Sequence, residues 1–260
     1  MKKTIIIIFA LFSSIASFAQ VLEWHIPVEY SDVQYIGNDL FKVKKGNKSG
    51  IINKDCNVRV EVKYDSITPF VENRALAISG GFLKCIIDER GEVVKKFDER
   101  YVLGNFHYSE GLLAYGKEGE KGYYIFGYLD IDGENAIKPK FMWAAPFSNG
   151  KAAVQNNNKQ KTFSIINKNG ETAINDNRQL KFISTPYKGE VLTVVGTKGR
   201  GYKVQIERIA NRKLEKTKEL PSGKYDFGIG SDYKSITCCE TSYNLDNAMR
   251  LVSSSKGEKL

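Results

Sequence analysis

Four stretches of this chain are variations on one pattern: IINKDCNVRV at 51–60, IIDERGEVV at 86–94, LDIDGENAI at 129–137 and IINKNGETAI at 165–174. Aligned on Cys56, Gly91, Gly133 and Gly170, they recur at spacings of 35, 42 and 37 residues. Three positions earlier each carries Asp or Asn, as Asn53, Asp88, Asp130 and Asn167. Self-similarity at this period means an array. One such unit cannot bury its apolar face alone and must stack on the next copy.

A second block repeats downstream of each turn. YDSITPFVENRALAI runs from Tyr64 to Ile78 and FMWAAPFSNGKAAV from Phe141 to Val154, while YSEGLLAY (from Tyr108) and PYKGEVLTV (from Pro186) match after three extra residues. PVEYSDVQYIGNDLFKV, 27–43, is this downstream half standing alone. The array is therefore a half-unit at 27–43 followed by four units, filling 20–200. Residues 201–260 are a divergent repeat or a C-terminal cap. Each unit reads as an apolar strand, a turn, an alternating strand and a second strand pair. In DIDG, Asp130 opens a type I turn, its carboxylate bonding the backbone ahead, and Gly133 takes the left-handed position of a bulge. The same register predicts that Cys56 adopts a positive φ or that its turn is reshaped. The turn is not a calcium loop, because the bidentate glutamate is missing and other copies place Lys54, Arg90 and Lys168 among the acids. No metal site is expected.

In the order of these blocks the chain resembles the bacterial WG-repeat family, in which a Trp-Gly pair and a strand precede an Asp-x-x-Gly turn, then a Tyr and a Phe-Ser-x-Gly block. FSNGKAAV from Phe147, YSEGLLAY from Tyr108 and FVENRALAI from Phe70 carry that block. The Trp-Gly dipeptide itself is replaced by Ser49-Gly50, Lys84-Cys85, Phe126-Gly127 and Phe163-Ser164. The resemblance implies an all-β tandem array of short hairpin or meander repeats, with no shared catalytic residues. An open curved array is the expectation, a small β-propeller the alternative.

The first twenty residues, MKKTIIIIFALFSSIASFAQ, have the charged start, short apolar run and small-residue end of a signal peptide, 1–19, cut after Ala19. The apolar run is too short for a stable membrane anchor. The expectation is an exported chain, periplasmic or secreted, that does not span the membrane after cleavage. Loss of Lys2 and Lys3 takes the formal charge from +9 to +7. For an exported chain that charge is a matter of solubility or of anionic envelope material, not of nucleic acid. Export permits disulfides among Cys56, Cys85, Cys238 and Cys239, but four cysteines are too few to scaffold 260 residues.

His25 and His107 are the only histidines, and neither lies in a nucleophile, zinc or acid–base motif. No catalytic residue and no cofactor is assigned. The most suggestive surface is KGYYIFGYLD, where alternation sets Tyr124, Phe126 and Tyr128 on one strand face and Tyr123 on the other. Tyr123, Tyr124 and Tyr128 are the candidate partner-binding aromatics. The segment 201–220 interleaves cations with glutamates and reads as a solvated hairpin or short helix. Two function classes stand: a non-enzymatic repeat protein that binds or scaffolds an envelope protein or glycan, and a hydrolase or glycan-processing enzyme with an unrecognised carboxylate pair. A groove lined by equivalent positions of successive repeats separates the first from the second.

Overall fold

The computed structural model describes residues 27, 29–119, 122–156, 162–176, 178, 180–196, 202–210 and 213–220, and further strands, as backbone, at 5–6, 23–24, 227–229, 235–238, 241–245 and 251–254. All strand pairings are antiparallel, and the described residues contain no α-helix. A two-residue pair, β1 (Ile5–Ile6) with β2 (Glu23–Trp24), comes first. The remaining predicted leader, like His25 and Cys239, lies outside the described residues.

The chain divides into two compact units, Met1–Lys96 and Phe97–Leu260. In the first, β3 (Asp32–Gly37), β4 (Leu40–Lys45), β5 (Lys48–Asn53) and β6 (Val58–Tyr64) form one four-stranded meander in sequence order. A second meander begins with β7 (Ser66–Ile67), β8 (Arg74–Ser79) and β9 (Phe82–Asp88). The half-unit 27–43 thus supplies the first strands of a meander that the first Asx turn completes. Leu40, Ile51 and Val60 of the first meander pack with Ile67, Ala75, Ala77, Cys85 and Ile87 of the second. Phe41, Val43 and Ile52 point the other way, against Tyr30 and Val33. The middle strands are therefore apolar on both faces. Each fully buried Ile or Leu contributes about 1.5–3 kcal/mol, which is why the repeats hold only when stacked.

In the second unit, residues Tyr101–Leu103 of β10 (Val93–Leu103) pair with β11 (Leu113–Glu118), followed by β12 (Tyr124–Leu129) and β13 (Asn135–Ala144). The far end of β13, from Phe141, turns to pair with β14 (Lys151–Asn156), which leads to β15 (Phe163–Asn167) and β16 (Thr172–Asp176). One long strand therefore closes one meander and opens the next. β17 (Leu180–Ile183), β18 (Glu190–Gly196), β19 (Tyr202–Ala210) and β20 (Lys213–Leu220) form the fifth meander, and β21 (Phe227–Ile229), β22 (Ser235–Cys238), β23 (Thr241–Leu245) and β24 (Leu251–Ser254) the sixth. In the charged segment, 202–210 and 213–220 pair as antiparallel strands, not as a helix. Apolar residues of successive meanders mesh here too: Ala153, Phe163 and Ile165 with Phe182, Leu192 and Val204.

Candidate functional site

Two kinds of turn repeat through the array, and both are built by local chemistry. The first is the Asx turn foreseen at Asn53, Asp88, Asp130 and Asn167. Asp130 Oδ1 accepts from the amides of Asp132 (3.0 Å) and Glu134 (2.9 Å), and its carbonyl from Gly133 (3.1 Å). The same contacts recur at Asn53 with Asp55 and Asn57, at Asp88 with Arg90 and Glu92, and at Asn167 with Asn169 and Glu171. The register residue is left-handed in every copy: φ is 62° at Cys56, 77° at Gly91, 77° at Gly133 and 76° at Gly170. The second kind is a two-residue hairpin with both φ values positive, at Asn38-Asp39, Glu72-Asn73, Glu110-Gly111, Asn149-Gly150 and Lys188-Gly189. Positive φ at both central residues is the type I′ geometry that suits the twist of a tight hairpin.

The two kinds of turn meet. In the first unit, Asn38 Nδ2 donates to the carbonyl of Glu89 in the next Asx turn at 3.3 Å, and Lys54 pairs with Asp39 at 3.5 Å. In the second unit, Lys168 holds the equivalent place to Glu89, and Glu110 the equivalent place to Asn38. There Lys168 Nζ donates to the Glu110 carbonyl at 2.9 Å and lies 3.3 Å from its carboxylate, which also accepts from Gly150 N at 2.9 Å.

Between the first and second Asx turns the corresponding space is open. It is a groove of about 480 Å³, walled by Asn38-Asp39 on one side and the turns at 53–55 and 89–92 on the others. The stem of Arg59 crosses its floor against Gly91: a β-carbon at Gly91 would stand 3.1 Å from Arg59 Cβ and 3.2 Å from Leu40 Cδ2. Gly91 thus allows both the left-handed turn and the close approach of Arg59. The groove carries charges of both signs, Arg59 and Arg90 beside Asp55, Glu89 and Glu92.

The glycine before the first and third Asx turns, Gly50 and Gly127, has a separate role. A β-carbon at Gly127 would collide with the carbonyl oxygen of Ile137 and stand 2.7 Å from Pro139 N. At Gly50 it would stand 2.6 Å from Val60 O and 2.8 Å from Val62 Cα. In both places the pairing with the following strand is irregular, so backbone crosses directly over the glycine. In these two copies the position has no room for a side chain. The equivalent Cys85 and Ser164 are buried, and Ser164 Oγ accepts from Asn156 Nδ2 at 2.7 Å.

The model of the WG containing repeat matches residues 50–81 and 126–159, the two segments that keep this glycine. These two segments are WG-type repeats. No curated protein sequence matches the chain. Among solved structures, KlHsv2 with loop 6CD replaced by a Gly-Ser linker is 13% identical over 89% of this chain and 82% of its own, with a TM-score of 0.50. That likeness concerns the fold alone. The WD40 domain of Toxoplasma gondii coronin is 14% identical over 83% of this chain and 68% of its own, TM-score 0.39. A puromycin hydrolase is 12% identical over 74% of this chain, which spans 38% of that enzyme, TM-score 0.41.

Of the three candidate tyrosines, only Tyr128 is core. Tyr128 is 0% exposed, its hydroxyl donates to the Ala145 carbonyl at 2.7 Å, and its ring meets Phe147 edge-on at 4.8 Å. It belongs to the packing between the third and fourth meanders and is withdrawn as a partner-facing residue. Burial holds its phenol well above the ordinary tyrosine range. Tyr124 is half-buried at the start of β12, and Tyr123, just ahead of the strand, is 63% exposed. The structure does not bring the three together on one surface: the alternation reads faces correctly, but a stacked array buries both. Among the described residues the only buried carboxylate is Glu207, held by two bonds of 2.7 Å from Arg178. Cys56 and Cys85 stand as thiols. No group of His, Cys, Asp and Glu among the described residues is placed to hold a metal ion, and no helix among them is long and apolar enough to cross a membrane.

Proposed function

We propose that this WG-repeat protein is an exported binding module that holds another macromolecule at the cell envelope. The observation that carries the reading is the groove between the first two Asx turns. Its walls come from equivalent positions of successive repeats, which is how repeat proteins build extended binding surfaces. It is open and charged, whereas small-molecule clefts gain their affinity from enclosed, mainly apolar walls. A large partner lying across the turns suits such a surface better than a small substrate does. The leader at 1–19 supports the envelope as the place.

The test couples location with binding. The tagged full-length chain should appear in the periplasmic or secreted fraction, shortened by its leader. The mature chain should retain one envelope component saturably, and Arg59→Ala with Arg90→Ala should release it while the melting temperature holds. Turnover of an envelope substrate that a single Asp, Glu or His substitution abolishes, in a chain that stays folded, would overturn the reading.

A further inference from the structure

We infer that the groove between the first two Asx turns takes a polypeptide segment carrying both charge signs, an acidic side chain for its arginines and a basic one for its carboxylates. This deepens the binding reading above and rests on it. The Lys54–Asp39 pair satisfies itself at 3.5 Å. That leaves Arg59 and Arg90 against Asp55, Glu89 and Glu92, and none of these five side chains makes an ion pair among the described residues. Arginine presents a planar fork that matches a carboxylate bidentately, and the three acids offer acceptors to an ammonium or guanidinium.

A uniformly anionic chain meets the three carboxylates, and a uniformly cationic one meets the two guanidiniums. Like-charge juxtaposition of this kind selects against the wrong partner. No aromatic ring lines the groove, so it lacks the flat apolar platform on which sugar or base faces stack. The side-chain oxygen of each Asx residue, the Asn53 amide and the Asp88 carboxylate, is already spent on its own turn amides, so those amides do not form an anion nest.

The second unit shows an ion pair that spans the equivalent turns. Glu110 and Lys168 pair there at 3.3 Å, and Glu110 sits at φ 55°. Asn38→Glu with Glu89→Lys copies that bridge into the first unit. Asn38 has φ 50°, and Glu72 and Glu110 show that glutamate is accepted at this turn position.

The experiment titrates the mature chain with three labelled peptides of equal length: alternating Glu-Lys, all-Glu and all-Lys. The alternating peptide should bind about tenfold tighter than either homopolymer. Its binding should weaken as salt rises, because exposed charges are screened beyond about 8–10 Å. The bridged double variant should lose that binding by a similar factor while melting like the parent. Equal binding of a homopolymer, or tighter binding of an uncharged or charged oligosaccharide than of any peptide, overturns the ligand class. Unchanged peptide binding in the bridged variant overturns the site. If no peptide binds yet the bridged variant also releases the retained envelope component, the ligand class fails and the binding function stands.

Discussion

Gly127→Ala isolates what the glycine of this repeat does. The φ of Gly127 lies outside the left-handed region, so backbone conformation does not demand glycine there; space does. The new methyl would collide with Ile137 O and press to 2.7 Å from Pro139 N and 2.9 Å from Lys138 C. Comfortable carbon contacts start near 3.5 Å, so β13 must shift by most of an ångström or its pairing with β12 must open. Overpacking of this kind costs about 1–3 kcal/mol, and all three atoms are backbone, which yields less easily than a side chain. For a chain of this size that is a fall of roughly 2–4 °C in melting temperature per kcal/mol. Gly150→Ala is the control: its φ is 71° and nothing lies within 4 Å of the new methyl, so only the left-handed penalty of about 1 kcal/mol applies. Thermal melts followed by circular dichroism should rank Gly127→Ala clearly below Gly150→Ala, and amide exchange should quicken along β12 and β13. A Gly127→Ala chain that melts with or above Gly150→Ala refutes the close-approach argument.

Further outcomes follow from the same geometry. Cys56→Gly relieves a left-handed non-glycine residue, worth about 1 kcal/mol, but frees the unfolded chain by nearly as much; its melting temperature should match or exceed the parent's, and a clear fall in reducing buffer would contradict the turn assignment. Melts with calcium and with chelator should overlay, because the Asp130 carboxylate is engaged by its own turn amides; a chelator-reversible rise lost in Asp132→Asn would show a metal site instead. Tyr128→Phe leaves the Ala145 carbonyl without its donor and should cost about 1 kcal/mol at neutral pH. The phenol's pKa is raised by burial, so its stabilising contribution is complete below its ordinary value near 10 and is lost as pH climbs above it. The gap between parent and Tyr128→Phe should therefore narrow in alkaline denaturation, and a gap that widens would contradict the burial argument.

The turns were legible because their chemistry is short-range. Asp or Asn at one position and glycine three later encode an Asx turn with no help from the rest of the chain; at Cys56, where the residues left a positive φ or a reshaped turn, the structure has φ 62°. The second turn family carried a signal as well: Glu-Gly, Asn-Gly, Lys-Gly and Asn-Asp pairs between apolar strands are what type I′ hairpins require. What the residues do not announce is which turn lies against which. The groove's wall includes Asn38 bonded to Glu89, 51 residues away, and in the second unit Lys168 reaches Glu110, 58 residues back. The dual use of β13 is also tertiary, since its two ends choose different partners. Tyr128 went astray for a related reason: period-two alternation sorts a strand into faces, and only stacking tells that both are covered.

The claim that the first two repeats form the binding surface is tested most directly by amide hydrogen exchange on the mature chain with and without its retained envelope component. Protection should concentrate at residues 53–59 and 88–92, the walls of the groove, and be absent from the bridged Asn38→Glu/Glu89→Lys chain. Protection confined to other repeats, or persisting unchanged in the bridged chain, would contradict the account.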